Sequence, residues 1–154
     1  MIFANLLMPE AVRVLSSASS KKRLLSEIGE LASASYDLDS NLILDSLLAR
    51  EALGPTGVGH GVALPHARIT GLKRVVGAFV LLEKPVDFEA VDRQPVDIAF
   101  ALFAPENAGV EHLKALALVS RTLREPAICG KLRSNPDPST LYAILAEGRT
   151  EQAA

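Results

Sequence analysis

The sequence predicts an α/β sandwich, in which helices cover both sides of a central β-sheet. Three observations support this prediction. The chain has 154 residues, of which 49% are hydrophobic, enough for one ordinary domain with a proper core. Two nearly continuous apolar segments, 75–82 and 96–105, are typical of buried strands. Segments with the residue spacing of amphipathic helices lie before and after them.

The first two predicted elements are helices. Ser20 can cap a helix over 20–33, SKKRLLSEIGELAS, because its hydroxyl can accept a hydrogen bond from the first turn. Four apolar residues fall on one face of this helix: Leu24, Leu25, Ile28 and Leu31. Asp39 can cap a second helix, SNLILDSLLAREAL. Gly54 and Pro55 then end it.

The sheet and the remaining helices follow in order. Extended segments are predicted at 61–69, 75–82 and 96–105. A long helix is predicted over about 109–124, with a common face formed by Leu113, Leu116, Ala117, Ser120 and Leu123. Pro126 can open a further short helix, and the sequence PDPSTLYAILAEG predicts a last one.

Composition and charge exclude several classes of function. The chain carries 16 Lys plus Arg against 18 Asp plus Glu, and its basic residues are scattered, so we expect no nucleic-acid partner. No apolar run approaches the roughly 18 residues that a membrane span needs, and the first residues, MIFANLLM, are too short and uncharged for a secretory signal. We therefore expect no direct membrane insertion. The single cysteine, Cys129, fits a reducing cytoplasm.

The glycine-rich segment GPTGVGHG, 54–61, does not match a nucleotide-binding motif. Counting from Gly57, a dinucleotide fingerprint would need glycine where Val62 stands, and the Gly-Lys-Ser/Thr of a P-loop is absent. Two interpretations stay open. The glycines can serve plain turn geometry, or the backbone N–H groups of the turn can bind an anion.

The three histidines do not predict a metal site. In an extended segment His60 and His66 would lie roughly 20 Å apart, at about 3.3 Å per residue, too far apart to share one ion unless the chain bends sharply. The sequence has no second cysteine and no His-x-x-x-His or His-Glu-x-x-His spacing. We therefore expect no metal ion, and no motif indicates a cofactor.

His66 is the strongest candidate for a reactive residue. It directly follows Pro65, whose ring fixes the backbone and biases Leu64 towards an extended conformation. A neutral imidazole is a good nucleophile near pH 7, because its ordinary pKa is about 6.5. A histidine that only satisfies the hydrogen bonds of a turn is the alternative.

The segment REALGPTGVGHGVALPHARI, 50–69, resembles the active-site region of phosphotransferase-system IIA domains of the fructose/mannitol type, most closely the nitrogen-regulatory members. The likeness continues through SKKRLLSEIGELAS, through the segment from PVDFEAVDRQPVDIAF to LVSRTLRE, and through STLYAILAEG, and it covers about residues 5–148. The resemblance implies one IIA domain over 1–154. It also implies the mannitol-type IIA fold, a mixed β-sheet flanked by helices.

The resemblance assigns roles to individual residues. His66 matches the phosphorylated histidine, and Arg50 and His112 match the positions that flank it. His112 precedes Leu116 and Val119 by four and seven residues, which is compatible with a ring at the edge of the buried helix face. A histidine on the helix surface is the alternative.

The glycine turn departs from the family pattern. Pro55 stands where a serine is common, so Thr56 and Gly57 are the expected phosphate-binding residues of the turn. His60 lies where the family varies, and we expect a local or modulatory role for it. Arg68 either meets a partner or is a solvated charge.

The implied function is that of a phosphotransferase component. We expect His66 to accept a phosphoryl group from the phosphohistidine of an HPr-like donor (NPr), and the phosphorylation state to control binding to regulatory target proteins. One alternative is a carbohydrate-specific IIA component that passes the phosphoryl group to a IIB cysteine. Another is a binding module whose histidine is never modified.

Overall fold

The computed structural model describes residues 1–153, with side chains described through residue 147. Its helices and strands are α1 (Phe3–Leu6), β1 (Leu7–Leu15), α2 (Lys21–Tyr36), α3 (Ser40–Glu51), β2 (Gly57–Gly59), β3 (Val62–Ala63), β4 (His66–Ile69), β5 (Val76–Val86), β6 (Val96–Pro105), α4 (Val110–Leu123), α5 (Pro126–Arg133) and α6 (Pro138–Ala153).

The strands form one six-stranded sheet of mixed direction. Along the sheet the order is β1-β5-β6-β3-β2, and β4 also pairs with β6. β5 and β6 are antiparallel, whereas β1 runs parallel to β5, and both β3 and β4 run parallel to β6. Every residue of β6 except Asp97 is buried, as its continuous apolar sequence predicts. The predicted fold class is confirmed.

β3 and β4 follow each other along the same side of β6, and Leu64 and Pro65 interrupt the strand between them. Ala63 pairs with Ala99 and His66 pairs with Leu102, so β3 and β4 lie beside β6 in the same register on both sides of the gap. Pro65 has no N–H with which to continue a ladder, although its carbonyl accepts a bond from the Leu102 N–H at 2.9 Å. The interruption makes His66 the first residue of β4.

Side-chain caps start the first two long helices where the sequence predicts. The Ser20 hydroxyl accepts a bond from the Arg23 N–H at 3.0 Å. The Asp39 carboxylate accepts from the N–H of Asn41 at 2.9 Å, at the start of α3. α3 ends at Glu51, slightly before the predicted end, and the chain then enters the glycine turn.

The buried face of α4 differs from the predicted one. The buried residues of this helix are His112, Ala115, Leu118, Val119, Thr122 and Leu123. Leu113, which was assigned to the buried face, is 68% exposed. The segment carries apolar residues in more than one phase of the helical period, so spacing alone selected the wrong stripe. The prediction of that face was therefore wrong, although its last residue, Leu123, is buried.

The N-terminal strand β1 was not predicted, because Pro9 and Glu10 interrupt its apolar pattern. The strand lies at the end of the sheet order, where a proline is tolerated. Among the described residues, we find no helix with the length and apolar character required to cross a bilayer.

Candidate active site

The site is centred on the half-buried ring of His66, where β4 begins. Its Nδ1 lies 3.0 Å from the carbonyl oxygen of Leu64. Because a carbonyl oxygen can only accept a hydrogen bond, this contact selects the tautomer with the proton on Nδ1. Nε2 therefore carries the free lone pair of the neutral ring.

Arg50, in the last turn of α3, bonds directly to that nitrogen. Its Nε donates to His66 Nε2 at 3.2 Å, and its Nη1 donates to the carbonyl oxygen of Gly54 at 2.8 Å. Arg50 therefore bridges His66 and the glycine turn. A guanidinium N–H can only donate, so this bond selects the same His66 tautomer as the Leu64 contact does.

His112 lies beside His66, in the first turn of α4. The two ring centroids are 5.7 Å apart and the ring planes meet at 71°. His112 is 6% exposed, and within the described part of the chain its buried Nε2 has no hydrogen-bond partner. A buried polar atom without a partner costs about 1–3 kcal/mol. Nε2 can therefore gain stability by bonding to a polar group that enters the site.

Burial lowers the pKa of His112, and the nearby His66 and Arg68 lower it further. His112 is therefore a neutral ring at pH 7. It can donate one hydrogen bond without bringing a positive charge next to Arg68.

Arg68 connects β4 to the start of α4. Its Nη1 donates to the carbonyl oxygens of Glu106 and Ala108, at 3.0 and 2.5 Å. The side chain is exposed, but these bonds hold it against the segment before the helix, so it is not simply a solvated charge.

The N-cap of α4 is Gly109, which supplies no side-chain cap. The first turn of this helix, which includes His112, is its electropositive end.

Thr56 and Gly57, the predicted phosphate-binding pair, are placed differently. The Thr56 N–H donates to Glu51 at 3.2 Å, and the Thr56 hydroxyl also donates to that carboxylate. A Cβ on Gly57 would lie 2.7 Å from the Cβ of Ala90, so close packing against Ala90 requires glycine there. The structure thus brings Arg50, His66 and His112 together and joins Thr56 to Glu51. A phosphate-binding role for Thr56 and Gly57 stays a prediction.

His60 lies in a tight hairpin between β2 and β3, whereas the chain that follows, through β3 and β4, runs extended beside β6. Its φ is 57°, its N–H donates to Asp92 at 3.0 Å, and its carbonyl accepts from Arg133 at 2.8 Å. Its side chain is exposed. No group of three or more residues suited to holding a metal ion occurs in the described part of the chain.

Sequence analysis missed Glu51 as a member of this network. A glutamate directly after a candidate arginine at a helix end was the available signal, but its partners come from other parts of the chain. They are Lys21, at the start of α2, and Thr56, in the glycine turn.

On a mixed α/β fold, the site thus places Arg50 against Nε2 of His66 and the buried ring of His112 beside the same imidazole. The chain belongs to the family described as phosphoenolpyruvate-dependent sugar phosphotransferase system, EIIA 2, whose sequence model matches residues 5–148. The predicted family is therefore confirmed.

Individual relatives agree with this assignment. The chain is 42% identical over 146 residues to a nitrogen regulatory protein of Bradyrhizobium diazoefficiens, covering 95% of each protein. The crystal structure of the nitrogen regulatory protein IIA-Ntr from Neisseria meningitidis superposes with a TM-score of 0.83 at 38% identity, covering 92% of this chain and 97% of that one. The mannitol IIA structure from Escherichia coli, at 19% identity and a TM-score of 0.75, covers 90% of this chain and 98% of its own, and shares the fold.

The lowered pKa of His112 predicts a pH dependence of stability. Below the ordinary histidine pKa of about 6.5, the unfolded chain binds a proton at this residue that the folded chain does not. The free energy of unfolding should therefore fall as the pH falls through this range. In His112→Gln the contribution is absent, so the loss between about pH 7 and about pH 5 should be smaller than in the wild type.

Urea unfolding at both pH values measures this difference. His60→Gln is the matched control, because it makes the same substitution at an exposed histidine outside the site. If His112→Gln lost as much stability between the two pH values as the wild type does, the buried ring would not resist protonation and this part of the account would be wrong.

Proposed function

We propose that this chain is a regulatory phosphocarrier of a phosphotransferase system. His66 accepts a phosphoryl group at Nε2 from the phosphohistidine of an HPr-like donor (NPr), and its phosphorylation state controls which target proteins bind. The observation that carries the proposal is the pair of hydrogen bonds on His66. They keep the proton on Nδ1 and place the lone pair of Nε2 next to Arg50.

The transfer step balances without movement of a proton. The Nε2 lone pair of His66 attacks phosphorus, and the N–P bond of the donor breaks as the new N–P bond forms. The electron pair of the broken bond returns to the donor's imidazole. His66 keeps its Nδ1 proton, and the Leu64 carbonyl stabilises the positive charge that the ring acquires.

Arg50 has two tasks in this step. Before transfer, the Arg50 Nε–H group donates to the lone pair of His66 Nε2, so this hydrogen bond must break when the donor arrives. The planar guanidinium can then donate to the equatorial oxygens of the phosphoryl group, while the Gly54 carbonyl continues to hold Nη1.

His112 supplies a preorganised donor. Its unpartnered buried Nε2, in the tautomer that carries a proton there, gains a partner when a phosphoryl oxygen enters the site. Because the ring is neutral and already held in the first turn of α4, donation requires little reorganisation during the reaction.

Regulation follows from the change of charge at a half-buried surface position. A phosphoryl group adds about −1.5 to −2 charges, which repels acidic partner surfaces and attracts basic ones. The names of the relatives from Bradyrhizobium and Neisseria support a regulatory role in nitrogen metabolism. We further propose one domain over 1–154 and a cytoplasmic location, which fits the free buried thiol of Cys129.

A second function is favoured by the description of the family, which names a sugar phosphotransferase system. In that case the phosphoryl group of His66 would pass to the cysteine of a IIB domain. Adding candidate IIB domains to the phosphorylated protein separates the two functions, because only the second predicts rapid loss of phosphate from His66.

His66 is predicted to be the only phosphorylated residue. Incubation with enzyme I, an HPr-like donor and phosphoenolpyruvate should add one acid-labile phosphate, detected by mass spectrometry, and His66→Ala should add none. His60→Asn is the matched control and should be phosphorylated at a rate close to that of the wild type, because His60 lies in the hairpin turn. Phosphate retained in His66→Ala would show that another residue is the acceptor.

Arg50 and His112 are predicted to assist the transfer without being essential. His112→Ala and Arg50→Ala should each slow single-turnover phosphorylation by about 10²- to 10³-fold, the effect of removing one preorganised donor. His66→Ala should show none, because the atom that forms the bond is lost. Wild-type rates in both alanine variants would show that neither residue contacts the phosphoryl group.

A further inference from the structure

A largely buried ion pair lies directly behind the site. Glu51 follows Arg50 at the end of α3, and its carboxylate is 2.8 Å from Nζ of Lys21, the first residue of α2. The side chains are only 6% and 17% exposed. Lys21 Nζ also lies 4.7 Å from the ring centroid of the buried Phe88.

The Glu51 carboxylate also closes the glycine turn. Its oxygens accept hydrogen bonds from both the N–H and the hydroxyl of Thr56. The two residues are separated by Ala52, Leu53, Gly54 and Pro55, so these bonds fasten Thr56, near the start of the turn, to the helix that carries Arg50. The position of the Gly54 carbonyl, which accepts from Arg50 Nη1, depends on this closure.

The same connection reaches the other side of the His66 ring. The Thr56 carbonyl accepts from the Leu64 N–H at 2.9 Å, and the Leu64 carbonyl holds His66 Nδ1 at 3.0 Å. Glu51 is thus linked to Nδ1 through Thr56 and Leu64. Through Gly54 and Arg50 it is linked to Nε2.

Stability alone is a poor explanation for this arrangement. Removing a carboxylate and an ammonium group from water costs free energy that their attraction often only just repays, and an apolar pair of similar volume is frequently as stable. The Glu51 carboxylate of this pair also accepts hydrogen bonds from the N–H and the hydroxyl of Thr56. The pair is therefore better explained by the conformation that it imposes on the turn.

We propose that Glu51 is a positioning residue for phosphoryl transfer. Paired with Lys21, it fixes residues 54–56 so that Gly54 orients Arg50 and Leu64 holds the proton of His66 on Nδ1. This inference rests on the proposed function of His66 as the phosphoryl acceptor. It also gives Thr56 a role other than phosphate binding, since a hydroxyl that donates its one proton to Glu51 has none to donate to a phosphoryl oxygen.

The test replaces Glu51 by glutamine, which has nearly the same shape but no charge and presents an NH₂ group to a site filled with donors. Glu51→Gln should slow single-turnover phosphorylation by about 10- to 100-fold, the effect of a misplaced reacting group. The ¹⁵N spectrum of the unphosphorylated protein should change from one His66 tautomer to a mixture. Glu27→Gln, which removes the Arg23–Glu27 pair on α2, is the matched control and should change neither.

Thr56 provides a second, independent variant in case Glu51→Gln does not fold, which its urea unfolding curve would show. Thr56→Val should reproduce the slower rate and the mixed tautomers, whereas Thr56→Ser keeps the hydroxyl and should remain close to the wild type. Where both single variants fold, the double variant should be no slower than the slower single one, because the two residues act on one path.

Two results would overturn the inference. One is an unchanged rate and an unchanged His66 tautomer in Glu51→Gln or, if that variant is unfolded, in Thr56→Val. The other is a slower rate with an unchanged tautomer, which would mean that the substitution weakens contacts to the phosphoryl group and leaves His66 in position. If the wild type is not phosphorylated, the proposed function fails, yet the tautomer comparison still decides whether Glu51 positions His66.

Discussion

In the proposed transfer, the hydrogen bond from His66 Nδ1 to the Leu64 carbonyl decides which nitrogen of the ring can react. An imidazole in solution exchanges between two neutral tautomers, and only the one with a free Nε2 can accept the Arg50 bond seen here. The Leu64 carbonyl is available because the strand beside β6 is interrupted at Leu64 and Pro65. Pro65 therefore affects the tautomer of His66 through the backbone.

The other parts of the site fit one electrostatic requirement of the proposed phosphoryl transfer. A phosphoryl group brings negative charge into a half-buried position, so it needs donors that are already oriented. Arg50 supplies charge, and the first turn of α4 supplies the positive end of a helix. His112 supplies a neutral donor, because burial and the nearby Arg68 keep it unprotonated. A protonated ring at this position would lose its hydration and would be repelled by Arg68. A neutral ring donates a directed hydrogen bond without either cost.

Local sequence predicted the parts of the fold that local physics determines. Ser20 and Asp39 cap helices through bonds to residues two or three positions away, and the apolar run of β6 is buried as expected. The buried stripe of α4 could not be chosen, because its apolar residues fit more than one phase and packing decides between them. The reversal at His60 depends on Asp92 and Arg133, which lie far along the chain. The contacts of Glu51 were hidden for the same reason, since Lys21 and Thr56 meet it only in the folded protein.

The nitrogen that carries the phosphate tests this account most directly. Protein labelled with ¹⁵N in its histidines, phosphorylated by the donor system, should show the one-bond coupling between ³¹P and ¹⁵N at Nε2 of His66, while Nδ1 still carries its proton. Coupling at Nδ1 would mean that the ring turns away from Leu64 before it reacts. That result would contradict the claim that this carbonyl selects the nucleophile.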